Sequence, residues 1–413
     1  MCILGAATSN APAAEPDDAR LAEAQEWAMR TPVLDLNPGP QYRDENRNYN
    51  MIFGADITPG GRIWAAWSGG GDSELSYLIA ATSDDQGKTW SAPRLVIDPP
   101  DTPGGIPIRT LVANFWTDPS GRLWLFFDQA AGYFDGRAGV WATICENPDA
   151  DQPTWSTPQR IGHGVALNKP IVLSTGEWLL PVTLWARNSI RASTERHNPT
   201  IDPATVPAGF SKQFTDLDSQ RNAHVYVSTD QGKTWVRSSG GVVFPHRTFD
   251  EPTLIELRDG RIWMLARTTD GMYESYSTDR GQTWSPPQKR FPHVSARHFV
   301  RRLASGRLLM VRRGPIDKVL PRRSHLTAFL SDDDGQTWTG GLVLDERSMI
   351  SYPDGFQDPD GVITIVYDNN RYGQAEILMA RFREEDVLAG KFQSADAKQR
   401  MLISKATGPK SKP

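Results

Sequence analysis

The chain has 413 residues, 38% apolar and 23% charged, an ordinary balance for a globular protein. Its formal net charge of −4 excludes the strongly basic character that nucleic-acid binding wants, and no apolar run is long enough to suggest a membrane span. With 14 Trp, 35 Gly and 31 Pro, the composition points to many short strands and tight turns rather than to helices.

Residues 1–15 are small and mildly apolar, and Ala11-Pro12-Ala13-Ala14 reads as a signal-cleavage region without a basic start or a long apolar core. The expectation is an exported protein, secreted or periplasmic, with a leader or tail and a short helix over residues 1–30. Leu21, Ala24, Trp27 and Ala28 give the stretch Asp17 to Met29 its amphipathic helical pattern. Cys2 falls in the leader. Cys145 is then alone after an apolar run, and it reads as a core residue rather than as half of a disulfide.

From residue 31 onward two repeats run side by side. The first is S-x-D-x-G-x-T-W, complete at Ser83 to Trp90, Ser228 to Trp235, Ser277 to Trp284 and Ser331 to Trp338, with a worn copy ending at Thr154-Trp155. Its Ser and Asp can bond backbone groups inside the turn, and its Gly supplies a backbone angle other residues avoid. The Trp would pack beneath the turn, between neighbouring sheets. The second repeat is a Gly that opens an apolar strand: Gly61, Gly121, Gly176, Gly260, Gly306 and Gly361. Six such openings predict six blades of an all-β propeller over residues 31–390. Asn188 to Asp218 reads as an insertion, and residues 391–413 as a disordered tail. The outer strand of the last blade is expected at Ile377 to Phe382, or at Val33 to Leu36 closing the ring from the N-terminus.

In a propeller, residues far apart in sequence meet at the axis. Glu251 opens the strand that follows Phe249-Asp250, and Arg267 ends the next one. Arg322-Arg323 precede the strand Leu326 to Leu330, Tyr352 stands before Pro353, and Asp72 follows Gly69-Gly70-Gly71. The Trp turns resemble the Asp boxes of the sialidase (neuraminidase) superfamily over about residues 45 to 390. Asp250-Glu251-Pro252 with Arg267 is similar to that family's glutamate and pocket arginine. Arg323-Ser324-His325 is similar to its third arginine, Ser351-Tyr352-Pro353 to its nucleophile segment, and Asp72 to its acid. The family's Arg-Ile-Pro is absent. Blade one reads Asn46-Arg47-Asn48-Tyr49-Asn50 instead, with Arg47 as the substitute clamp.

The resemblance implies an exo-sialidase-like hydrolase of a terminal sialic acid or related acidic sugar. Tyr352, Glu251 and Asp72 would be catalytic, and Arg267, Arg323 and Arg47 would bind substrate. The chemistry is coherent. The substrate carries a carboxylate on the reacting carbon, which would repel a carboxylate nucleophile, whereas a neutral Tyr paired with Glu is not repelled. Arginines clamp the substrate carboxylate by paired hydrogen bonds, and a protonated Asp serves the leaving oxygen. The partner is a glycan or acidic oligosaccharide, and no cofactor or metal is implied. Two other readings remain open: a lyase or rhamnosidase-like enzyme on uronate polysaccharide, using His163, His298 or His325 beside arginines, and a propeller that binds glycans without turnover.

Overall fold

The computed structural model describes residues 17–132, 136–187, 189 and 215–409. Among them, twenty-four strands form six four-stranded antiparallel sheets, so the fold is a six-bladed β-propeller. Each Gly-led repeat is the second strand of a blade, as in Ile63–Gly69, Ile262–Thr268 and Ile363–Asn369. The glycine takes the left-handed conformation that closes the hairpin from the inner strand. At Gly260 φ is +82°, and its N–H donates to Leu257 O at 3.0 Å.

The third strand of a blade runs into the Trp turn. In the first turn Ser83 Oγ accepts from Gly87 N at 2.8 Å and donates to Asp85 Oδ1 at 2.9 Å. Asp85 in turn accepts from Thr89 N at 2.9 Å and Thr89 Oγ1 at 2.7 Å. The same bonds recur around Asp230, Asp279 and Asp333. In the worn copy Asn147 Oδ1 takes the Asp role toward Thr154. The Trp packs between adjacent blades: Trp235 joins Trp124, Phe126 and Trp178. The turn glycine must stay bare there, because a Cβ on Gly232 would run into the Trp124 ring.

The ring closes differently from the expectation. Ile377 to Phe382 lies in the third strand of blade six, Glu376–Phe382, and the outer strand is Lys398–Lys405. Residues 391–409 are therefore built into the propeller, and only 410–413 of the expected tail lie outside the described residues. Val33 to Leu36 does not close the ring; Asp35 bridges Val96 on the outer strand of blade one. The N-terminal helix Asp17–Ala28 forms as expected, with Ala24 and Ala28 packed on Ile106, Ile108 and Ala131. Cys145 is buried in the cluster between blades one and two, and burial raises its thiol pKa. No helix of the described residues is long and apolar enough to cross a membrane. The expected leader and nearly all of the Asn188 to Asp218 insertion lie outside the described residues.

Candidate active site

Two inner strands carry bulges at the same mouth of the axial channel. In Arg247–Glu256 of blade four the register shifts on either side of Asp250, and Asp250 and Glu251 have φ of +52° and +53°. In Ile350–Gln357 of blade six the register shifts between Ser351 and Asp354, and Tyr352 has φ of +52°. Three residues of these two strands in a region that L side chains avoid mark a backbone held by its surroundings. Bulges of this kind re-aim side chains. Asp250 is tied by Arg247 and by Thr183 Oγ1 at 2.9 Å. Glu251 and Tyr352 meet instead: Tyr352 Oη donates to Glu251 Oε1 at 2.8 Å.

Arg267 ends the second strand of blade four and donates from Nη1 to the same Glu251 oxygen at 2.7 Å. Its Nε reaches Ser295 Oγ at 3.1 Å. Arg323 donates to Ser351 Oγ at 3.0 Å and Ser295 O at 2.8 Å, and it has no carboxylate partner among the described residues. Asp72 stands at the rim, 3.5 Å from Arg371 Nη1, with its N–H donating to Tyr372 Oη at 3.3 Å. Five of the six site residues expected from sequence therefore gather around Tyr352.

Arg47 does not. Its Nε donates to Tyr42 O at 2.9 Å and its Nη2 to Ser404 Oγ at 2.9 Å, with further bonds to Asp44 and Asn50. The chain before blade one turns back over the outer strand of blade six, where Thr407 N–H donates to Asp44 O at 2.8 Å. Arg47 is spent on that clasp. Another arginine beside Tyr352 is Arg371, which follows the second strand of blade six. Its guanidinium lies 4.4 Å above the Tyr352 ring, and its Nε bonds the buried Asp368 at 3.2 Å. No local pattern singles it out: seven residues after Gly260 stands Arg267, but seven after the equivalent Gly361 stands Asp368, and Arg371 comes three further on.

The electrostatics suit a neutral phenol beside a charged carboxylate. Burial pushes the Tyr352 hydroxyl up to about 12, helped by the Glu251 charge. Burial opposes the Glu251 charge, but Arg267 and the Tyr352 hydrogen bond outweigh it and hold the carboxyl below its usual range. Burial brings Arg323 down to about 10, with Arg267 and Arg371 adding repulsion. Three atoms at the site are buried and unpartnered: Glu251 Oε2, Arg371 Nη2 and Arg313 Nη2. Unmet buried polar atoms of this kind, one acceptor and two donors, are rare in folded proteins and persist where the surrounding structure holds them.

Residues 61–365 match the family described as BNR repeat-like domain. The chain belongs to that family. Among solved structures, the Hadza microbial sialidase Hz136 is similar over 79% of this chain and 64% of its own, at 16% identity and a TM-score of 0.58. The chain thus spans less than two thirds of that sialidase. The intramolecular trans-sialidase of Ruminococcus gnavus, solved with oseltamivir carboxylate, is similar over 86% of this chain and 98% of its own (14% identity, TM-score 0.58). A Dyadobacter fermentans protein of unknown function matches over 83% and 95%, at 16% identity and a TM-score of 0.56. At these identities the likeness carries the sialidase-type propeller fold alone. Within this BNR repeat-like chain, the histidines considered for other chemistry are engaged elsewhere or buried. His163 Nδ1 lies 2.9 Å from Arg137 O, His325 contacts Ser324, and His298 is fully buried.

Proposed function

We propose that the chain is a glycoside hydrolase that removes a terminal sialic acid or a related acidic sugar from glycans. The reading rests on the Tyr352–Glu251 hydrogen bond of 2.8 Å with Arg267 on the same carboxylate, Arg371 over the Tyr352 ring and Arg323 free of any carboxylate among the described residues. Arg323, Arg371 and Arg267 grip the substrate carboxylate from three directions, and Arg371 does the work first assigned to Arg47. Tyr352 Oη attacks the anomeric carbon while its proton passes to Glu251. A hydroxyl with a pKa near 12 needs that base, and the ionised Glu251 provides it. The glycosidic C–O bond breaks, and Asp72 serves as the general acid that gives the leaving oxygen its proton. Water then gives a proton to Asp72 and displaces Tyr352, which recovers its proton from Glu251. Two displacements at one carbon return the original anomeric configuration.

The test is a fluorogenic assay with 4-methylumbelliferyl glycosides of several acidic sugars. Wild type is expected to release the fluorophore from at least one of them. Tyr352→Phe keeps the ring under Arg371 but loses the nucleophilic oxygen, and it should lose about a thousandfold or more in kcat/KM. Turnover unchanged by that substitution would remove Tyr352 from the mechanism.

A further inference from the structure

Glu251 and Tyr352 occupy the N-terminal parts of their inner strands. The C-terminal parts of the inner strands end at the other mouth of the channel, and a second cavity lies there. Its volume is about 370 Å³, within the range of small-ligand sites, and five blades contribute walls. It is sealed from the Tyr352 side by a buried plug. Lys169 Nζ donates to Asp354 Oδ2 at 3.0 Å and to the carbonyls of Ala55 and Phe115 at 2.5 and 2.6 Å. Arg297 ties Phe53 O, Leu167 O and Asn168 Oδ1 across the same level.

The other charged groups around this cavity have partners. Lys169 and Asp354 hold each other. Asp118 takes Arg122 and the Trp124 N–H, Glu256 takes Ser174, and Arg302 takes Asp334. Arg301 lines the cavity half-buried, and its guanidinium has no hydrogen bond or ion pair among the described residues. The remaining walls are apolar, with Trp116, Phe299 and Ile171 among them.

We infer that this far-mouth cavity binds a small organic carboxylate, with Arg301 as its charge partner and the apolar walls around its body. One unpaired guanidinium matches one carboxylate, whose two oxygens can take paired N–H donors. A phosphate dianion would exceed the single open charge. The inference does not depend on the reaction proposed for the Tyr352 mouth.

Benzoate is the probe, with benzamide as its uncharged counterpart and inorganic phosphate as a compact anion, each titrated calorimetrically into the full chain. Arg323→Gln serves as the background, because it weakens any carboxylate binding at the Tyr352 mouth. Benzoate should bind that background at one site and more tightly than benzamide or phosphate. Arg301→Gln added to it should weaken benzoate about tenfold or more, as expected for a charge-assisted hydrogen bond. Arg301 has no partner to lose, so the melting temperature should not move, and glycosidase turnover should match that of Arg301-containing protein. No benzoate binding, equal binding of benzamide, or affinity untouched by Arg301→Gln would each overturn the assignment.

Discussion

The rim and the axis of this propeller treat polar groups in opposite ways. At the rim, each Trp turn satisfies its Ser, Asp and Thr within its own eight residues, as Ser83, Asp85 and Thr89 do. At the axis, Glu251, Tyr352, Arg323 and Arg371 come from blades four to six, sit on or beside bulged and left-handed backbone, and leave buried donors and an acceptor open. The turns stabilise the fold by satisfying their Ser, Asp and Thr locally, and the polar atoms they leave open are indole N–H groups packed between blades, at Trp90, Trp155 and Trp235. Unsatisfied groups cost stability and persist only where the surrounding structure imposes them, and that is where a ligand can be recognised.

The contrast can be broken most strongly at the rim. Trp235 packs edge-on to Trp124 with ring centroids 6.4 Å apart and shares a cluster with Phe126 and Trp178. Trp235→Ala should destabilise by roughly 3–5 kcal/mol in chemical denaturation, while kcat of the folded fraction stays at the wild-type value. A selective loss of turnover would mean that the rim shapes the site. At the axis the expected order reverses. Arg323→Lys keeps a charge but loses the planar fork, and it should lose about 2–3 kcal/mol of transition-state binding, roughly 30- to 200-fold in kcat/KM, with little change in melting temperature. Arg47→Ala is the paired control. It cuts the clasp to Tyr42 and Ser404 and should cost roughly 1–3 kcal/mol of stability without touching turnover. The opposite pattern at Arg323 and Arg47 would restore Arg47 as the clamp. Arg267 belongs to neither class, because its ion pair with the fully buried Glu251 makes it both a pocket residue and a support.

This division also explains what the sequence made legible. The Trp turn and the Gly-led strand are local patterns, and their repetition was enough to count six blades. Glu251, Arg267 and Arg323 could be singled out because they lie near those patterns, and Tyr352 because Ser351-Tyr352-Pro353 resembles a family segment. Arg371 was missed because Asp368-Asn369-Asn370 reads as an ordinary turn, and nothing local says that the next side chain folds over Tyr352. Arg47 was misplaced because its direction depends on a chain path set by contacts with residues 404–408. The outer strand Lys398–Lys405 was missed because Lys-Gln-Arg-Met-Leu-Ile-Ser-Lys is mostly polar, as an exposed blade edge can be. The positive φ values at Glu251 and Tyr352 have no sequence signature, since neither residue is a Gly or Asn.

The smallest expected effect tests whether the rim turns are electrostatically closed as well as geometrically closed. Hydrogen bonds from the following Thr, side chain and backbone together, bring the carboxyls of Asp85, Asp230 and Asp333 down to about 2. An unfolded Asp titrates near 3.9, so the unfolded chain binds protons first as pH falls. The folded form is therefore favoured in full above about pH 4, and that contribution drains away as pH drops through the folded value near 2. Each of these carboxylates is solvent-accessible, which keeps the contribution per turn small. The worn turn supplies the internal control, because Asn147 makes the same two bonds to Thr154 without a titrating group. Asp85→Asn should imitate it: Oδ1 can still accept from Thr89 N, while the charge is gone. Unfolding free energy measured from pH 5 to pH 2 should fall less steeply in Asp85→Asn than in wild type, and the two should converge at the acid end. Equal slopes would mean that the turn aspartates act through shape alone, with the unfolded chain holding their carboxyls as firmly as the turn does.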